Sequence, residues 1–195
     1  FLINSAVDAL LKKEFDYYRE LRKPHPYMEE IGLNAIPAQH ELLNQWRHVF
    51  TGVQYQLPDK DYLLFGGIDD LWINDQEEFI VVDYKATAKN DPPTIDGKWG
   101  RKYKNQIEFY QWLLRNNDET VSDDTYFVYC NGQRNLLSFN NKVEFKVELI
   151  LYVGDDSWVE ETVYKAIETL ESDQLPDSDS ECDHCSYVRK REDAE

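Results

Sequence analysis

Cysteine is scarce in this chain, with three in 195 residues. An odd and small number excludes a disulfide framework and matches usage in a reducing compartment, so a cytoplasmic protein is expected. No apolar run approaches the roughly 20 residues of a membrane span, and no signal-peptide pattern is visible, so no membrane partner is expected. Basic residues are outnumbered, 21 Lys and Arg against 38 Asp and Glu, for a formal charge of −17. Such a surface repels phosphate unless basic residues are concentrated locally or cations intervene. There is no phosphate-binding glycine loop, no G-x-S-x-G nucleophile and no cysteine–histidine pairing suited to nucleophilic catalysis. The four histidines, His25, His40, His48 and His184, lack metal-ligand spacing. The chain opens at Phe1 rather than methionine, so further residues are expected ahead of it.

What is present centres on Gly66 to Lys85, GGIDDLWINDQEEFIVVDYK. It reads as one β-hairpin, with a mostly aromatic and aliphatic arm from about Tyr62 to Asn74. The second arm, Phe79 to Tyr84, is nearly all apolar and β-branched, as in a buried strand. Asp75, Gln76 and Glu77 form the turn. A turn centred on Gln76 makes cross-strand partners sum to 152, which sets Asp69 opposite Asp83. Like charges facing each other in a sheet are unfavourable, and a divalent cation is the simplest offset. Side-chain alternation puts Lys85 on the face of Asp83 and turns Tyr84 away. Two oxygen ligands beside an ammonium suit phosphodiester cleavage. The competing reading is a solvated hairpin end at Asp69 and Asp70 with a surface Asp83–Lys85 ion pair.

The remaining pattern is that of one α/β domain over residues 1–175, followed by an acidic, cysteine-containing tail over 176–195. A first helix is expected from a cap at Asn4 or Ser5 to about Arg22, with Val7, Leu10, Leu11, Phe15 and Tyr18 inward. A loop of unassigned structure reaches Pro37. A second helix spans about Ala38 to Phe50, and Val53–Leu57 alternates like an edge strand. A polar loop over residues 87–97 leads to a helix from about Arg101 to Arg115. Thr125–Cys130 reads as a buried strand ending in an Asn131-Gly132 turn, and Lys142–Tyr152 as an alternating strand. Asp155–Leu170 reads as an amphipathic helix. Basic residues do cluster, at Lys98, Arg101, Lys102 and Lys104, interleaved with Trp99 and Tyr103.

Gln106 and Tyr110, four apart, share a helical face. Together the pieces make an ordered pattern: Gly66-Gly67-Ile68-Asp69, Asp83-Tyr84-Lys85, then Gln106…Tyr110. Order, spacing and element type resemble the RecB-type branch of the PD-(D/E)xK nuclease superfamily over roughly Asn4 to Tyr187. The resemblance implies a restriction-endonuclease-like fold, a mixed central β-sheet flanked by helices. It implies that Asp69 and Asp83 hold Mg²⁺ or Mn²⁺, helped by the main-chain oxygen of Tyr84. Lys85 would handle the attacking water and the charge on phosphorus, and Gln106 and Tyr110 would line a DNA cleft or brace it. The basic cluster of Arg101, Lys102 and Lys104 would add phosphate contacts. The activity implied is DNA phosphodiester hydrolysis in repair, recombination or defence. A catalytically silent module that binds a protein partner or mimics DNA is the alternative, and the acidic surface favours it.

Two departures stand out. Where the branch often carries a metal-binding histidine on the first helix, Asn4-Ser5-Ala6-Val7-Asp8 puts Asp8, which either ligates through oxygen or serves only as a helix acid. Iron–sulfur members of the branch carry C-x-x-C with a third cysteine six residues on. Here Cys182 and Cys185 supply the pair, but Arg191 stands at the third position. The two cysteines are either half of a zinc or iron–sulfur site completed by cysteines ahead of Phe1, or a vestigial pair on a flexible tail.

Overall fold

The computed structural model describes residues 2–174, 176–179 and 182–193; within these, the side chains of Leu2, Lys98, Trp99 and Glu192 lie outside the description. The chain groups into two compact units, one reaching Asp156 and one beginning at Ser157.

The first unit opens with α1, Leu2–Leu21. Its buried line is Leu11, Phe15 and Arg19, a strict i, i+4 series. Leu10, expected inward, is 63% exposed, and Asn4 and Ser5 lie inside the helix rather than capping it. The helix stops where Arg22 takes φ 53° and the Lys23 amide donates back to the Tyr18 carbonyl, closing the final turn. The segment without an expected structure then forms α2, Pro26–Glu30, and the short strand β1, Ala35–Pro37. His25 caps α2 by accepting the Tyr27 amide on Nδ1, while its ring stacks on Phe15 at 4.3 Å.

The expected 38–50 helix is a correction: only Leu43–Trp46, α3, is helical. Arg47 is drawn into a buried ion network, and the His48 carbonyl accepts the amides of Thr51 and Gly52 in a tight turn instead of continuing the helix. The first arm of the hairpin also divides. β2, Val53–Gln56, and β3, Leu63–Gly66, make a separate two-stranded sheet, and β4 begins only at Asp70 and runs to Asn74.

β4 pairs antiparallel with β5, Phe79–Thr87, in the expected register: Asp70↔Val82, Leu71↔Val81, Trp72↔Ile80 and Ile73↔Phe79. After α4, Gly97–Arg115, the chain forms β6, Asp124–Gly132, parallel to β5, and β7, Phe145–Val153, antiparallel to β6. Asn131-Gly132 is therefore not a turn: Asn131 pairs with Lys146 and Gly132 with Phe145. The Asn131 amide is held by the main chain of Lys89, which keeps the strand going past the expected break.

The resulting sheet, in order β1-β4-β5-β6-β7, is mixed and flanked by helices, the architecture the resemblance implies. Alternation along β5 divides the two faces. Val82 and Tyr84 join Leu11, Phe15, Trp72 and Tyr126 under α1. Asp83 and Lys85 face the α4 side, where Tyr103 meets Phe127 and Gln106 meets Lys85. Phe15 is fully buried and stacks on Trp72 at 5.4 Å. Truncating such a side chain typically costs about 3–5 kcal/mol.

The second unit holds α5, Val159–Glu171, and α6, Asp183–Glu192. Glu160 and Glu161 lie in the first turn of α5, where they suit its positive end. No helix among the described residues is long and apolar enough to cross a membrane.

Candidate active site

The site begins where the β4–β5 ladder ends. Asp69 lies just before β4, so no strand partner competes for the Tyr84 amide, and Asp69 Oδ2 accepts it at 2.8 Å. A residue's N–H and C=O project to the same side of a strand, so the Tyr84 carbonyl is also directed toward the Asp69 side. One residue earlier on β5, Asp83 is 2% exposed and lies 2.5 Å through Oδ2 from Lys85 Nζ. That contact lacks hydrogen-bond alignment, and Asp83 Oδ2 is a buried carboxylate oxygen without an aligned donor.

Burial pushes the Asp83 carboxyl up to about 7; Lys85 pulls it back and Asp69 raises it further. Asp69 is raised as well, by burial first, against the opposing Tyr84 amide and Lys12. A buried carboxyl whose proton affinity is raised further by a neighbouring acid is short of positive charge.

Lys85 extends over the Tyr103 ring, 4.4 Å from its centroid, and donates to Gln106 Oε1 at 3.4 Å. Gln106 in turn donates through Nε2 to the Tyr110 hydroxyl at 2.7 Å. Thus Asp83, Lys85, Gln106 and Tyr110 form one continuous chain of contacts. Tyr110 is 7% exposed, and burial lifts its hydroxyl to about 12. It also fills the space beside Gly66, where a Cβ would sit 2.6 Å from its ring.

On the opposite flank, α1 brings Lys12 to 2.9 Å from Asp8 Oδ1 and 3.8 Å from Asp69 Oδ1. Asp8 and Asp69 line a cleft of about 400 Å³ with Tyr84, Lys85 and Tyr103. Lys85 and Tyr103 also border a second hollow of about 340 Å³ with Lys89 and Tyr129. Among the described residues, no three His, Cys, Asp or Glu side chains are assembled as a cation cage. Asp69 and Asp83 nevertheless fit a hard divalent cation: they offer carboxylate oxygens, one of them lacking an aligned donor, with the Tyr84 carbonyl directed toward the same side.

The basic cluster divides around α4. Lys102 is one turn before Gln106 on the same flank, whereas helical spacing turns Arg101 and Lys104 away from it. Lys104 lies 3.6 Å from Asp96 and 5.2 Å from the Tyr152 ring centroid. The side chains of Lys98 and Trp99 are outside the described residues. In the second unit, Cys182 is the N-cap residue of α6, with its thiol drawn below the usual range by the Cys185 amide, while Cys185 is raised by Cys182.

Sequence reasoning missed the group behind the site. Asp70 is not a solvated hairpin end but wholly buried. It accepts hydrogen bonds from Arg19, from Arg47 at 2.5 Å, and from the Tyr84 hydroxyl at 2.6 Å. Asp16 pairs with both arginines, at 2.8 Å for Arg47. Removing one partner from such a buried network typically costs about 3–5 kcal/mol. The signal available in the sequence was Arg19 at i+4 from Phe15 and i+8 from Leu11, a charge on an apolar stripe.

The family model of the PD-(D/E)XK nuclease superfamily matches residues 2–189. No curated protein and no solved structure matches the chain. With nearly the whole chain matched, on a mixed sheet with Asp69 just ahead of β4 and Asp83 and Lys85 on the neighbouring β5, the protein belongs to the PD-(D/E)XK nuclease superfamily.

Proposed function

We propose that the chain is a Mg²⁺- or Mn²⁺-dependent nuclease that hydrolyses DNA phosphodiester bonds, serving repair, recombination or defence. The observation that carries this reading is Asp69 on the main-chain amide of Tyr84, the residue after Asp83 on β5, with Lys85 against Asp83. Asp69, Asp83 and the Tyr84 main-chain oxygen would hold the cation, with Asp8 at the flank. When bound, it supplies a Lewis acid and a water of lowered pKa.

The protein's own groups do the rest. Lys85 presents an ammonium beside the carboxylates, where it orients the attacking water and offsets charge on the phosphoryl oxygens. Gln106 fixes Lys85 from the far side, with its own amide oriented by Tyr110. Lys102, one turn before Gln106 on α4, would contact a backbone phosphate.

The test is cleavage of labelled single- and double-stranded DNA with Mg²⁺ or Mn²⁺. The wild type is expected to cut, and Asp83→Ala and Lys85→Ala to lose roughly 10²–10³-fold or more. Cleavage that survives both changes would remove this mechanism. The charge of −17 favours a second reading, a silent module docked on a basic protein. Absence of cleavage with either metal, together with tight binding to a basic protein, would support that one.

A further inference from the structure

An apolar projection stands beside the proposed site and has no role in the metal chemistry. Residues 47–52 form a turn pinned at both ends. Arg47 is locked to Asp16 and Asp70, and Gly52, at φ 56°, is pressed against the Gly66 carbonyl, which a Cβ would approach to 2.4 Å. Inside the turn, His48 Nδ1 accepts the Phe50 amide at 3.3 Å, the His48 carbonyl accepts Thr51 and Gly52, and the Thr51 hydroxyl donates to the Gln45 carbonyl. The backbone is thus pre-formed, yet the side chains at its apex face solvent: Val49 is 68% exposed and Phe50 79%. The Phe50 ring lies 5.8 Å from the His48 ring, tilted by 55°. The turn rests on Gly67, whose Cβ would meet the Val49 Cα at 3.4 Å, and Gly67 is two residues from Asp69.

A rigid turn that holds an aromatic ring in water next to a phosphodiester site calls for a ligand with its own flat apolar surface. We infer that Phe50, backed by Val49, is a stacking platform for an unpaired nucleobase, so that the substrate is single-stranded DNA or a frayed end. This rests on the nuclease reading and names its substrate class. Paired bases in a duplex hide their faces, whereas an unpaired base presents one, and stacking tolerates any sequence. Charge points the same way: a chain at −17 gains little from general attraction to phosphate, which leaves cation coordination and stacking to hold the strand. Phe50 touches the substrate's base, not the reacting phosphate, and is a binding residue.

The test is fluorescence anisotropy of a labelled oligothymidylate, an abasic oligomer of equal length and a blunt duplex, with Ca²⁺ as the oxygen-ligated cation. The wild type is expected to prefer the oligothymidylate over both others. Phe50→Ala should weaken the oligothymidylate roughly 5–150-fold and leave the abasic oligomer unchanged, while Phe50→Trp restores binding. An exposed ring contributes little to folding, so an unchanged melting temperature in Phe50→Ala certifies the comparison. Equal affinity of Phe50→Ala and wild type for the oligothymidylate overturns the inference, as does a preference for the duplex. So does a change of oligomeric state in Phe50→Ala, which would make the turn a protein interface. Mn²⁺-dependent cleavage of duplex that is insensitive to Phe50→Ala would sink the stacking platform and leave the nuclease reading standing. A wild type that neither binds nor cuts any DNA would take both away.

Discussion

Asp83 is poorly suited to the folded protein without a cation. Burial raises its carboxyl from 3.8 to about 7, so between those values the folded state holds a proton that the unfolded chain gives up. Stability from this group is full below about pH 4 and is lost as pH rises through about 7. Asp83→Asn removes the charge and keeps the shape. The metal-free variant should therefore be more stable than wild type at pH 8 by roughly 1–3 kcal/mol, or about 2–10 °C in Tm, with the gap closing toward pH 4. A variant less stable than wild type at pH 8 would show that the Lys85 pair outweighs the burial cost. This residue was legible in the sequence because a strand's two-residue period and a three-residue turn fix cross-strand partners by arithmetic. Asp70, its neighbour in kind, was not. Its partners Arg19 and Arg47 come from 51 and 23 positions away, and no local pattern announces a pairing of that range.

At the level of elements, the sheet shows where local signals suffice. β5 and β6 are long buried runs, and both were readable, as was α4 from its apolar spacing. Elements of three to five residues, α2, β1 and α3, carry too few positions to show a period. They exist because tertiary partners hold them: β1 against β4, and α3 between a His40–Trp46 stack and the arginine network. The β4 and β3 segments looked continuous because both are apolar; the break between them comes from Gly66 and Gly67, which let Tyr110 and the 47–52 turn approach the backbone. Two glycines with positive φ test this packing. Gly32→Ala, at φ 68° with open space around it, should cost about 1 kcal/mol. Gly52→Ala meets the Gly66 carbonyl as well, and should cost about 3 kcal/mol or more and depress cleavage by displacing the approach to Asp69. Equal costs in thermal melts would mean that the contact between the two glycine segments yields without strain.

For the molecule as a whole, the excess of acid is the feature that any account of function must accommodate. An acidic surface collects divalent cations loosely at many places, so stabilisation of the wild type by Mn²⁺ is by itself no sign of a site. A built site binds the folded state only and stabilises it by about 2.7 kcal/mol at a hundred times its dissociation constant. Loose binding, in contrast, is shared by any variant that keeps the surface. The decisive measurement is therefore calorimetric titration of Mn²⁺ into wild type, Asp69→Asn and Asp83→Asn at matched ionic strength. The account predicts one saturable binding event in the wild type that is lost or weakened at least about tenfold in each variant, over an unchanged weak background. The same saturable heat in all three proteins would contradict it, because the two aspartates would then share no cation.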